Sequence, residues 1–167
     1  QNILTEEELF ELLKQADKLR RSDKDECHKI RVDVKNIIES NPNEYSDKLR
    51  GLVYLKHADT CLTNEERIES LNKSKTIREN LTTKVSGVEM ISAKRDLIHT
   101  YNALGIYYKY QKDYDLAMKY YSSAKDISKG ILDKEGYANA LNSIGKIYEE
   151  QELYTEALAV HKESYHY

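Results

Sequence analysis

Apolar residues recur every three to four positions along almost the whole chain, the spacing of helices with one buried stripe. The first helix opens on Thr5 and Glu8, a capping box: the threonine oxygen takes an orphan backbone N–H and the glutamate reaches back. A second helix, about 23–40, carries Ile30, Val34, Ile37 and Ile38 on one side. Pro42 ends it, because proline cannot continue a helix and disfavours helical geometry at Asn41. A third helix is expected at about 44–60, and a fourth from a second capping box, Thr63 and Glu66, to about 81. The stretch TTKVSGVEM, residues 82–90, reads as the most loop-like of the chain. Helices at about 89–110, 114–130, 134–150 and 154 to the end follow, so eight helices with short turns should pack antiparallel.

A repeat lies inside this pattern. YNALGIYYKYQKDYDLAMKYYSSAKDI begins at Tyr101, and LNSIGKIYEEQELYTEALAVHKESYHY at Leu141. An offset of 40 pairs Asn102 with Asn142, Leu104 with Ile144 and Gly105 with Gly145. It also pairs Tyr108 with Tyr148, Gln111 with Gln151, Tyr114 with Tyr154 and Ala117 with Ala157. So many matches at one offset indicate a repeated supersecondary unit. Glycine inside a helix costs about 1 kcal/mol against alanine, and close approach of the partner helix would offset that. Ala117 and Ala157 would sit at the same contact, with Leu104, Tyr108 and Tyr121 filling the space. A weaker offset of 50 sets residues 51–77 on 101–127, with Thr63 on Asp113 as cap and Leu71 on Tyr121. There Leu55 replaces Gly105 and Arg67 replaces Ala117, the mark of a degenerate copy.

The pattern resembles the tetratricopeptide repeat family. Its carriers are Leu104, Gly105, Tyr108, Ala117, Tyr121 and Ala124, then Ile144, Gly145, Tyr148 and Ala157; His161 and Ser164 replace the usual aromatic and alanine in the second copy. The period of 40 is similar to the long-helix variety of bacterial sensors and peptide-binding scaffolds. The resemblance implies an all-α, right-handed α-solenoid of antiparallel helix pairs. Residues 1–43 are then a divergent, cap-like pair. Residues 44–87 are a degenerate pair with its connector, and 88–167 are two repeats, the last one short.

In this family the first helix of each pair lines a concave groove that takes a protein or peptide partner. The groove residues implied are His99, Asn102, Ala103, Ile106, Lys109 and Tyr110, then Asn139, Asn142, Ser143, Lys146, Glu149 and Glu150. Leu52, Lys56 and Asp59 would face it from the degenerate copy. Asn102 and Asn142 stand out, because a carboxamide both donates and accepts and can bracket an extended backbone. Each taken singly reads rather as an exposed polar residue bonded to water; it is the set together that points to a groove.

Composition narrows the rest. The 167 residues are 33% charged and 40% hydrophobic with a net charge of −3, a folded and soluble balance without the basic stripe of a nucleic-acid binder. Fourteen tyrosines suit helix pairs with thin cores, the ring packing while the hydroxyl stays wet. No phosphate loop, dinucleotide fingerprint or zinc-protease motif is present. No catalytic residue, metal or cofactor is expected. His57 and Cys61 are four apart on one helix face, but two ligands do not make a metal site, and they read as a surface histidine and a buried cysteine. Cys27 and Cys61 could pair if their helices met; two small buried thiols is the plainer reading.

The repeats look like the sensory regions of bacterial membrane-bound histidine kinases and related regulators. By that resemblance the chain is a periplasmic, N-terminal sensory part of a membrane-anchored protein. The alternative is a cytoplasmic peptide-binding regulator of the quorum-sensing type. Gln1 in place of an initiator methionine is expected of a processed or cut chain. The last helix, with Tyr154, Ala157, Leu158, His161 and Tyr165 at helical spacing and no helix after it, would leave an open face for self-association.

Overall fold

The structure, a computed structural model, describes residues 3–167; Gln1 lies outside the described residues. Eight helices follow one another with no strand among the described residues: α1 (Glu6–Leu19), α2 (Lys24–Ser40), α3 (Asp47–Thr60), α4 (Asn64–Lys84), α5 (Gly87–Tyr110), α6 (Tyr114–Gly130), α7 (Lys134–Glu150) and α8 (Tyr154–Tyr165). The all-α helical-repeat class is as expected. No helix among the described residues is long and apolar enough to cross a membrane. The chain divides into two compact units, residues 1–84 and 85–167.

In the first unit each helix packs on the next. Leu9 and Leu13 of α1, Val34 and Ile38 of α2, and Leu49, Val53 and Tyr54 of α3 form one buried cluster with Tyr45. The capping box on α1 is complete: Thr5 N–H donates to Glu8 Oε2 at 2.7 Å, and Glu8 N–H to Thr5 Oγ1 at 3.2 Å. α3 starts three residues later than the sequence suggested. Ser46 is the residue whose oxygen caps it, taking Leu49 N–H at 3.3 Å, while Tyr45 turns inward and donates its hydroxyl to Leu4 O at 2.9 Å.

The expected loop at 82–90 is a correction. α4 runs on through Lys84 and α5 begins at Gly87. Thr82 and Thr83 stay helical by donating their hydroxyls to Glu79 O and Asn80 O, both at 2.7 Å. The break between the two helices is confined to Val85 and Ser86, and Gly87 takes a left-handed φ of +59°.

In the second unit, α6 and α7 have the bounds the repeat implied. One turn design is used three times. Lys112, Leu132 and Glu152 sit in the left-handed region at φ 62°, 59° and 61°. The next N–H then closes back on the helix just ended: Asp113 to Tyr108 O at 3.0 Å, Asp133 to Ser128 O at 2.8 Å, Leu153 to Tyr148 O at 2.8 Å. Asp113 and Asp133 then cap the next helix, whereas Leu153 has no side-chain oxygen and leaves α8 uncapped. Ala117, Tyr121, Ile144 and Ile147 are buried together, with Tyr108, Tyr114, Met118, Tyr148 and Val160 packed around them.

The two repeat glycines sit where a side chain is blocked. A Cβ on Gly105 would lie 2.6 Å from the Tyr121 ring, and one on Gly145 would lie 2.5 Å from the His161 ring. Leu104, Ala117 and Ala124 are fully buried, Ala157 and Ile144 nearly so, and Tyr108 and Tyr148 are half-buried.

Candidate functional site

Within the second unit, α5 and α7 are neighbours, and each turns one polar-to-mixed stripe outward. On α5, His99, Ile106 and Tyr110 are exposed, and Asn102, Ala103 and Lys109 are half-buried. On α7, Asn139, Asn142, Lys146, Glu149 and Glu150 are exposed and Ser143 is half-buried. Lys109 links the helices: its Nζ lies 4.0 Å from Glu150 Oε1 and 5.5 Å from the centre of the Tyr110 ring. The expected groove residues of both repeats are thus exposed or half-buried within one unit, and the Lys109–Glu150 pair joins the two rows. Ile106 at 47% and Tyr110 at 74% exposure leave considerable apolar surface in water there.

The matched asparagines differ. Asn102 Oδ1 is buried and accepts no hydrogen bond. Asn142 Oδ1 lies 3.4 Å from His161 Nδ1, and His161 Nε2 lies 3.0 Å from Glu149 Oε1. The cause is the residue on the facing helix. Where the first pair has Tyr121, the second has His161, whose ring reaches polar groups on α7 on both sides. Burial, aided by the nearby Glu150 carboxylate and Tyr110, pushes the Tyr121 hydroxyl up to about 12, so it stays protonated.

Lys56, Leu52 and Asp59 lie in the first unit. Lys56 Nζ is 2.8 Å from Asp17 Oδ2, and Asp59 takes Arg20 and Arg31. These residues join α3 to α1 and α2 by ion pairs; Leu52 is half-buried against the apolar cluster.

His57, expected at the surface, is 5% exposed. Its Nδ1 lies 2.7 Å from Ser70 Oγ, and Cys61 Sγ donates to His57 O at 3.2 Å. Burial, with the Lys35 charge behind it, pushes the His57 imidazole down to about 4, while burial pushes the Cys61 thiol up to about 11. The imidazole is thus neutral and the thiol protonated at pH 7, the reverse of an activated nucleophile. Cys27 and Cys61 are both free and buried. Among the described residues no group of three or more His, Cys, Asp or Glu is arranged to hold a metal.

A pH effect follows. The folded state holds His57 neutral where the unfolded chain would charge it near 6.5. Its contribution is therefore intact above about pH 6.5 and is lost as pH falls toward 4. Roughly 2–3 kcal/mol should disappear over that window. Urea unfolding of the first unit at pH 7 and pH 4.5 reads this, and His57→Gln should flatten the change. An unaltered pH slope in the variant would assign the loss to other groups.

Gly51 makes a close contact that periodicity does not reveal. A Cβ there would lie 2.9 Å from Arg78 Cγ, and Ser74 Oγ donates to Gly51 O at 2.8 Å. The degenerate pair keeps a glycine contact but moves it one turn back from the position of Leu55. Arg67, standing where Ala117 stands, donates to Ala58 O at 3.1 Å and Cys61 O at 2.9 Å, closing the end of α3. In α8, Tyr154, Leu158 and Tyr165 are 65%, 55% and 89% exposed, although Tyr114 and Met118, the α6 counterparts of the first two, are packed.

Residues 96–165 match the family model of the tetratricopeptide repeat, a span that begins within α5 and ends with α8. No curated protein matches the chain.

Proposed function

We infer, for a chain whose residues 96–165 belong to the tetratricopeptide repeat family, that the shared face of α5 and α7 binds a peptide segment of a protein partner. Repeats of this family are protein-interaction modules, and protein binding is the coarse function. The observation that carries the finer reading is Asn102. A buried amide oxygen without a donor costs about 1–3 kcal/mol, which a fold does not keep without return. A partner whose backbone N–H meets that amide, once it turns, recovers the loss. Ile106 and Tyr110 beside it supply apolar area worth about 25 cal/mol per Å² covered.

Changing Asn102 and Asn142 together to alanine should weaken binding of peptides selected from a display library by about tenfold or more. Melting should not fall and should rise if anything, because the fold uses one of these amides weakly and alanine removes the orphaned oxygen of the other. A sharp fall in melting with binding intact would make them structural residues and remove the groove reading.

The same reading places the module in a signalling protein, as the extracytoplasmic sensory part of a membrane-anchored sensor. Its support is the resemblance of the long, tyrosine-rich repeats to such sensors. Reporter fusions that are active only on one side of the membrane test the location, and cytoplasmic activity would favour a quorum-sensing type of regulator. Self-association through Tyr154, Leu158 and Tyr165 belongs to this proposal too. Sedimentation over a concentration series tests it, and a monomer throughout would end it.

A further inference from the structure

α5 is 24 residues long against 17 for α7, and its first nine residues precede the span matched by the repeat family. Those nine residues carry the same outward stripe. Val88 is 83% and Ile91 41% exposed, and Arg95 is exposed with no ion pair among the described residues. From Val88 the stripe runs through Ile91, Arg95, His99, Asn102 and Ile106 to Tyr110, in steps of three or four. Val88 and Ile106 are separated by 18 residues. That is five turns, so the two side chains stand in line about 27 Å apart. The stripe is apolar at both ends and polar in the middle.

We propose that the binding face continues onto residues 87–95, and that its partner is an extended segment with two apolar side chains eight residues apart and an acidic residue between them. An extended chain rises about 3.4 Å per residue, so eight residues span the 27 Å, and an even spacing puts both side chains on one side. The middle of the stripe selects the extended form. The Asn102 oxygen is buried and bonded to nothing in the unit; once the half-buried amide turns outward it can take a backbone N–H, which an extended segment has unspent and a helix has used. Arg95, between the anchors, asks for the acid. The inference rests on the α5/α7 face being the binding face; what it adds is the second anchor and the spacing.

The probe is a labelled nine-residue peptide with leucine at its first and last positions, glutamate at its fifth and serine or threonine elsewhere, so that all three face the same side. Its binding to the full chain is followed by fluorescence anisotropy. Wild type should bind it. Val88→Asp and Ile106→Asp should each weaken binding about tenfold, and a peptide with its leucines four apart should bind no better than those variants do. Both side chains are exposed, so melting curves should be unchanged. Loss with Ile106→Asp but not with Val88→Asp overturns the second anchor and leaves the α5/α7 face standing. Absence of binding by the eight-spaced peptide, or equal binding at both spacings, overturns the inference; the α5/α7 face then stands or falls on the asparagine variant with library-selected peptides.

Discussion

Gly105→Leu should destabilise the second unit by ~3 kcal/mol or more. A Cβ alone would stand 2.6 Å from Tyr121 Cε1 and 2.8 Å from Cδ1 and Cζ. The ring cannot swing clear, since Tyr121 is 2% exposed and wedged among Ala117, Ile144 and Ile147. Three further carbons would force α5 and α6 apart and open that cluster. Gly105→Ala should already destabilise, although alanine is the better helix former by about 1 kcal/mol. Gly145→Leu should cost less, because the His161 side chain is 33% exposed and can turn outward. Gly130→Ala is the control, with nothing within 4 Å of its added carbon. Thermal and urea melts would rank the four. A Gly105→Leu protein that melts like wild type would mean that the glycine is not there for close packing.

That contact was legible in the sequence for a physical reason. Glycine in mid-helix carries a cost, and seeing it twice at one offset says that the same neighbour offsets it twice. The bounds of α6 and α7 were equally legible, set by Asp113 as a cap and by the 40-residue offset, whereas the left-handed residue in each turn was not. Local chemistry misled where a competing bond won. Thr82 and Thr83 read as loop residues, yet each bonds one turn back and stays in α4. That error also hid Val88, which joins Ile91 on the stripe only if α5 begins at Gly87. The exposure of these α5 and α7 residues followed from periodicity, but the difference between Asn102 and Asn142 did not, because it depends on what Tyr121 and His161 reach across the pair. Arg31 was invisible for a similar reason. On α2 alone it is one more charge on an amphipathic helix, and only α1 and α3 make it a buried one.

Arg31→Ala should cost the first unit about 2–5 kcal/mol, the range for truncating a large buried side chain. Arg31 is 1% exposed. Its Nη2 donates to Asp17 Oδ1 and its Nη1 to Asp59 Oδ2, both at 2.9 Å, so one guanidinium ties α2 to α1 and α3. Alanine would leave a cavity and take a cation from each carboxylate. Neither carboxylate would be left alone: Lys56 stays on Asp17, and Arg20 grips Asp59 with two bonds of 2.6 and 2.8 Å. Arg31→Met, which fills the volume, should therefore cost markedly less than alanine, and the gap between the two measures the cavity. Acid adds a second reading. Burial raises both carboxyls, but the hydrogen bonds and charges of Lys56 and Arg31 at Asp17, and of Arg20 and Arg31 at Asp59, outweigh it and hold both below the ordinary 3.8. Their contribution is thus fully present above about pH 5 and lost as pH falls below 3.8 through the folded values. This lies below most of the window assigned to His57, so the two can be separated on one pH series. In Arg31→Met the loss below pH 4 should be shallower than in wild type, while the loss between 6.5 and 4 should remain. An alanine variant as stable as wild type, or a methionine variant with an unchanged acid limb, would show that Arg31 does not hold these three helices together.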